Sequence, residues 1–311
     1  MTSISSNNVS LFGYKELFSE FKELYDKQKL PNKIIFSGEK GIGKATFAYH
    51  LTNYIFSQHE ENRYDYENNI ISNNNNSFNL IKKNTHPNFF LVSNDEGKLI
   101  IQISKIREMI NFSNKSSFND SFKVIFIDNI ENLNINSVNA LLKIIEEPNN
   151  KIYFFLIHDS KNIVPDTLRS RCIKFNFFLT NKKKIQIVNK LLSNNFVNIL
   201  NDDFKSYYNS PGDIILLYNF FNENSIDPNI SIDDFLKIIV KKSFLKKSLY
   251  IKNNLAYFIE LYFNKKITYT NSKDKVYYFY KYFLSKISNS NKFNLDIESV
   301  LLEFNGKILN G

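Results

Sequence analysis

The chain has 311 residues, 43% hydrophobic and 23% charged, enough for two or three domains around a sizeable core. No apolar run approaches the roughly 20 residues that span a bilayer, the first residues lack a signal peptide's basic start and apolar core, and one cysteine, Cys172, excludes an internal disulfide and a four-cysteine zinc module. The net charge of +9 points only weakly to nucleic acid, because lysine, asparagine, isoleucine, phenylalanine and tyrosine are inflated together, as an AT-rich genome inflates them. The expectation is a cytoplasmic protein with no membrane partner. Glycine, alanine and arginine are scarce, so where they stand they mark positions that lysine or asparagine cannot fill.

Tyr14 to Gln28 places Leu17, Phe18, Phe21, Leu24 and Tyr25 at helical spacing. Lys33 to Ser37 reads as a buried strand, followed by a glycine loop and a helix over Lys44 to Phe56. Ser57 to Pro87, with the run Asn73-Asn74-Asn75-Asn76, shows little periodicity and reads as a loop or insertion. Asn88 to Val92 is a strand, Ile103 to Asn111 lies in a helix, and Phe122 to Ile127 is a strand ending on Asp128. A helix over Asn136 to Glu147 is stopped by Pro148, and Ile152 to Ile157 and Cys172 to Phe178 complete the strands. Alternation at these lengths predicts a parallel sheet with helices on both faces. From Asn181 to Leu309 the chain reads as helices broken at Ser210-Pro211-Gly212, Asp227-Pro228 and Thr270 to Asp274. The expected division is an α/β domain at 1–178, a small helical domain at 179–225 and a helical C-terminal domain at 226–311.

The stretch "GEKGIGKAT", Gly38 to Thr46, resembles a phosphate-binding loop between strand and helix. Gly38, Gly41 and Gly43 would turn backbone N–H groups toward a phosphate and Lys44 would neutralise it. The hydroxyl that normally holds magnesium is replaced by Ala45, and Thr46 is rotated roughly 100° around the helix. Asp128 matches the strand-terminal aspartate that sits beside magnesium, but Asn129 follows where a catalytic glutamate is usual, and Glu131 would have to reach in from a loop. The plainer alternatives are a glycine-containing turn and an aspartate that caps the next turn. In "LRSRC", Arg169 and Arg171 are two of the four arginines. A solvated basic turn is one explanation. A planar guanidinium serving a neighbour's phosphate as an arginine finger is the other.

Taken in order and spacing, "GEKGIGKATFA", "HPNFF", "INSVNALLKIIEEP", "LRSRC" and "NSPGD" at 209–213 resemble the delta-prime subunit family of the bacterial DNA polymerase III clamp loader, with Ala45 as in its alphaproteobacterial form. The resemblance implies an AAA+ module, a helical lid at 179–225 and a helical collar at 226–311. It implies a subunit that does not hydrolyse ATP, needs no cofactor or zinc, and leaves ATP or ADP binding at Gly38, Gly41, Gly43, Lys44, Thr46 and Asp128 open. Its Ser170-Arg171-Cys172 motif would supply Arg171 to the ATP site of an adjacent gamma/tau ATPase. The implied partners are gamma/tau and delta subunits, the sliding clamp indirectly, and primer-template DNA. Ala45, Asn129, His158-Asp159 at a sensor position and Asp213 in place of a phosphate-sensing arginine all depart from the family's active ATPases. Such a motor subunit is the alternative, for which serine or threonine at 45, an acid at 129 and zinc cysteines would be expected. A P-loop kinase explains neither "SRC" nor the helical C-terminal third.

Overall fold

The structure, a computed structural model, describes residues 8–95, 100–147, 151–192, 196–205, 209–269, 273–293 and 295–309. Pro148 and residues 270–272 of the expected helix break lie outside these, while Lys273 and Asp274 already belong to a helix. The chain divides into two compact units, 1–187 with 210–212 and 188–209 with 213–311.

In the first unit, continuous apolar runs form inner strands buried on both faces, as a parallel sheet covered by helices requires, while the edge strand Ile173–Asn176 is largely exposed. They are β1 (Lys33–Gly38), β2 (Phe89–Val92), β3 (Lys123–Ile127), β4 (Ile152–Asp159) and β5 (Ile173–Asn176), in the order β2-β3-β4-β1-β5 with every pairing parallel. Residues alternate across the sheet. Phe36 packs on one face against Phe21 of α1 (Lys15–Asp26) and Phe47 of α2 (Lys44–Phe56). Its neighbour Ile35 joins the core on the other face. There, Ile106 and Met109 come from one helix and Leu141 and Ile145 from another. Phe21, Phe36 and Phe47 are fully buried, worth roughly 1.5–3 kcal/mol each. The expected sheet with helices on both faces is therefore present.

The segment 57–87 differs from the expected loop. It contains helix α3 (Asn76–Lys82), whose first N–H groups all find acceptors. Glu60 accepts from the N–H of Asn76 at 2.9 Å and of Ser77 at 3.0 Å. The Asn75 side-chain oxygen accepts from Phe78 N at 2.7 Å and from Asn53 Nδ2 at 2.7 Å, while its amide donates to Asn62 O at 2.7 Å. The asparagine run is thus a helix start, with Phe78 and Ile81 buried. A helix of seven residues is too short for periodicity to reveal.

Three further helices complete this side of the fold: α4 (Ile103–Asn114), α5 (Ile135–Glu146) and the single turn α6 (Asp166–Arg169). Buried Lys123 closes the C-terminus of α4, donating to Phe112 O at 2.7 Å and to Lys115 O, a cation at the negative end of a helix. The Asn134 side chain caps α5 by accepting from Ser137 N at 2.8 Å. The helix α7 (Asn181–Leu192) follows the sheet.

The second unit is helical, as the C-terminal pattern predicts. Its helices include α8 (Pro211–Glu223), α9 (Ile232–Lys241), α10 (Leu249–Tyr269), α11 (Lys273–Phe293) and α12 (Ile297–Phe304). One apolar core runs through them, with Phe204, Phe221, Phe235 and Phe258 fully buried. Lys265 bridges Asp203 at 2.8 Å and Asp233 at 2.9 Å. The boundary expected at 225/226 falls inside this unit.

Candidate functional site

The C-terminal edge of a parallel sheet is where such folds gather ligand-binding loops. Here it carries the Gly38–Lys44 loop after β1, Asp128 after β3, and Asp159 at the end of β4, paired in register with Gly38. Gly41 (φ +78°) and Gly43 (φ +102°) occupy the left-handed region, which explains glycine at both. At Gly38 the reason is space, since a Cβ would lie 2.5 Å from Phe177 O.

The loop's carbonyls are already engaged. The Lys44 ammonium donates to Gly38 O and Glu39 O, each at 2.7 Å. The Tyr14 hydroxyl donates to Ile42 O at 2.9 Å, and Gly212 N donates to Gly41 O at 3.0 Å. The approach of residues 210–212 is close: a Cβ on Gly41 would stand 2.3 Å from Ser210 Oγ, and one on Gly212 2.8 Å from Gly41 Cα. Lys44 therefore serves its own loop as an internal clasp.

Burial pushes the Lys44 ammonium down to about 8, against the pull of Asp159, Glu131, Asp128 and Glu39. Burial also raises the Asp128 carboxyl, opposed by the Lys44 charge. Glu131 follows Asp128 in a short turn. From the turn Ile130–Asn132 its Oε2 accepts from Asp159 N at 3.3 Å, and burial raises its carboxyl. Asn129 itself adopts a left-handed conformation, φ 59°. His158 is used structurally: Nε2 donates to Asn162 O at 3.0 Å, which leaves Nδ1 to accept from the Ser37 hydroxyl at 2.9 Å. Ala45 and Thr46 sit half-buried in the first turn of α2. Gly38, Gly41, Gly43, Lys44 and Thr46 thus lie together by adjacency, and Asp128 reaches them electrostatically through the fold.

Arg171 is elsewhere. The register Ile34↔Ile173 and Ser37↔Asn176 starts β5 beside the beginning of β1, so Arg171, two residues earlier, lies at the N-terminal edge of the sheet. From Ile34 to Gly38 is about 13 Å of strand, which separates this arginine from its own chain's loop. Its Nε donates to Glu146 Oε1 at 2.6 Å, and Nη1 to Thr167 O and Ser170 Oγ, each at 3.0 Å. Arg169 pairs instead with Asp166 at 3.3 Å on the open surface. Cys172 turns into the core beside Leu168, and burial pushes its thiol up to about 11. Tyr14, Ser210 and Glu146 escape sequence reasoning, because each acts through a partner far along the chain.

The chain is similar to known proteins in both sequence and fold. The family profile described as "DNA polymerase III, delta subunit" matches residues 13–181, more than half of the chain. The DNA polymerase III subunit delta' of Pseudomonas aeruginosa is 31% identical over 96 residues, covering 30% of this chain and 29% of that protein. That of Buchnera aphidicola subsp. Schizaphis graminum is 26% identical over 185 residues, 58% and 54% respectively. The chain thus spans about a third to a half of these relatives' length. The subunit gamma of Buchnera aphidicola subsp. Acyrthosiphon pisum also matches, at 26% over 175 residues, 56% and 46%. In fold, the chain is similar to a DNA polymerase III gamma subunit-related protein of Thermotoga maritima, with a TM-score of 0.51 at 14% identity over 92% of this chain and 96% of that one. The sheet order, the loop after β1 and the profile match lead to one assignment: the chain belongs to the delta-prime subunit family of bacterial DNA polymerase III clamp loaders, with an AAA+ fold.

Proposed function

We propose that the chain is a non-hydrolysing clamp-loader subunit that supplies Arg171 to the ATP site of an adjacent gamma/tau-type ATPase. Its partners are that ATPase and a delta subunit, and through the complex the sliding clamp and primer-template DNA. Residues 179–225 act as lid and 226–311 as collar. The observation that carries the reading is the separation of the two sites on opposite edges of one sheet. A guanidinium at the N-terminal edge is remote from its own loop and free to face another subunit's nucleotide. Ala45 offers no oxygen to a metal, and Lys44 is engaged by Gly38 O and Glu39 O. ATP or ADP could enter only by replacing those contacts, so the reading requires neither nucleotide nor zinc in this chain.

Reconstitution of the loader with Arg171→Ala tests it. Fingers are worth roughly 10³–10⁵ in rate at the site they serve. Total turnover falls by less, because other sites continue. The expected result is an intact complex with slowed DNA-stimulated hydrolysis and clamp loading, and unchanged rates would refute the assignment. Arg171→Lys is also defective, since lysine loses the planar fork. A second reading, an active motor subunit, is favoured by the gamma relatives and by the position of Glu131 beside Asp159. Magnesium-dependent turnover by the isolated chain would decide for it.

A further inference from the structure

An arginine that acts on another molecule must be held before that molecule arrives, or its rotamer freedom is lost from the rate. Arg171 has five N–H donors, and three are fixed by its own chain: Nε–H by Glu146, and Nη1 by Thr167 O and Ser170 Oγ. Among the described residues Nη2 has no partner. The Thr167 and Ser170 contacts are local, within the same turn. Glu146 alone ties the guanidinium to a different element, the last residue of α5. It holds the Nε–H, which restrains the plane of the ion and leaves the Nη2 hydrogens to an acceptor from outside. The pair is no stability device: Arg171 is 40% exposed and Glu146 54%, and ion pairs that open to solvent contribute little.

We infer that Glu146 is a positioning residue for Arg171, orienting its guanidinium so that Nη2 meets the anionic oxygens of a phosphate held by a neighbouring subunit. The inference rests on the finger reading above, and deepens it by naming what presets the finger. An acceptor at Nε is required, whereas the negative charge of that acceptor is dispensable. An arginine side chain has much rotamer freedom to lose, so removing one of its anchors should slow the served site about three- to tenfold.

The test is a set of variants in the loader reconstituted with its partner subunits. Glu146→Ala should lower kcat for DNA-stimulated hydrolysis about three- to tenfold with KM for ATP unchanged, since a finger acts in the transition state. Glu146→Gln keeps an oxygen facing Nε–H and should stay near the wild-type rate. Glu146→Ala combined with Arg171→Ala should be no slower than Arg171→Ala alone. The melting temperature of Glu146→Ala should stay within about 4 °C of wild type. If Arg171→Ala is slow but Glu146→Ala is not, the positioning role is wrong while the finger stands. Additive losses in the double variant, or a Glu146→Gln as slow as the alanine variant, would also overturn it. A silent Arg171→Ala removes both the finger and its positioning residue.

Discussion

Replacing Lys44 by methionine tests whether this lysine is a clasp under strain or an ordinary phosphate ligand. The ammonium is buried, and its fall from 10.5 to about 8 corresponds to about 3 kcal/mol against the charged form in the folded state. The unfolded chain, where lysine keeps its ordinary value, therefore binds more protons between about pH 8 and pH 10.5. Stability contributed by this group must rise with pH across that window, and below it the cost is present in full. Methionine has nothing to titrate, so its variant lacks the rise. Buried tyrosines such as Tyr14 and Tyr49, whose phenols burial raises, lose stability at alkaline pH, but they do so equally in both proteins. The assay is urea unfolding of both proteins at pH 7, 8, 9 and 10. The difference in unfolding free energy should shift by about 2–3 kcal/mol toward the lysine protein by pH 10. Parallel pH curves would show that Lys44 is solvated, and that the clasp on Gly38 and Glu39 does not persist in solution. Nucleotide binding, where it occurs, would bring phosphate charge to Lys44 and draw in a proton near pH 8, which calorimetry in two buffers detects.

The isolated chain should release phosphate from ATP no faster than background, and Ala45→Ser alone should not change this, because Asn129 still lacks a carboxylate. Steady magnesium-dependent turnover that Lys44→Ala abolishes would refute the non-hydrolysing reading. Asn75→Ala should cost about 2–4 kcal/mol in urea unfolding, from one helix cap and two further hydrogen bonds, one buried and one partly buried. A loss below about 0.5 kcal/mol would mean that Glu60 alone suffices to start α3.

Much of the α/β unit is legible because its inner strands are buried on both faces. Val124 to Ile127 and Ile152 to Ile157 have no polar residue to confuse the period, and they emerge within a residue or two of their expected ends. The error falls where composition masks chemistry. In a chain this rich in asparagine, Asn75 carries no more weight in the sequence than Asn73 or Asn74. Only the structure shows its side-chain oxygen capping Phe78 N while its amide reaches Asn62. The loop motif is local and therefore readable. Its closure is not, because Tyr14 and Gly212 arrive from distant parts of the chain. Glu146 is similar, lying 25 residues before the arginine it holds.

The two edges of the sheet differ in what they must give up before meeting a phosphate. At the C-terminal edge, phosphate binding would have to release the ammonium of Lys44 from two carbonyls and separate Gly212 N from Gly41 O. Bonds from a charged donor contribute roughly 1.5–3 kcal/mol each, and a neutral backbone bond about 1. The freed carbonyls would then face the incoming anion, a repulsive arrangement that needs the loop to turn as a whole. At the N-terminal edge nothing is broken, since the bonds that hold Arg171 within the described residues run from Nε and Nη1 and leave the Nη2 hydrogens for a phosphate. Arginine is also charged at any physiological pH, whereas Lys44, drawn down to about 8, is not fully so in mildly alkaline solution. The asymmetry favours a subunit that gives its positive charge to a neighbour over one that keeps a nucleotide for itself.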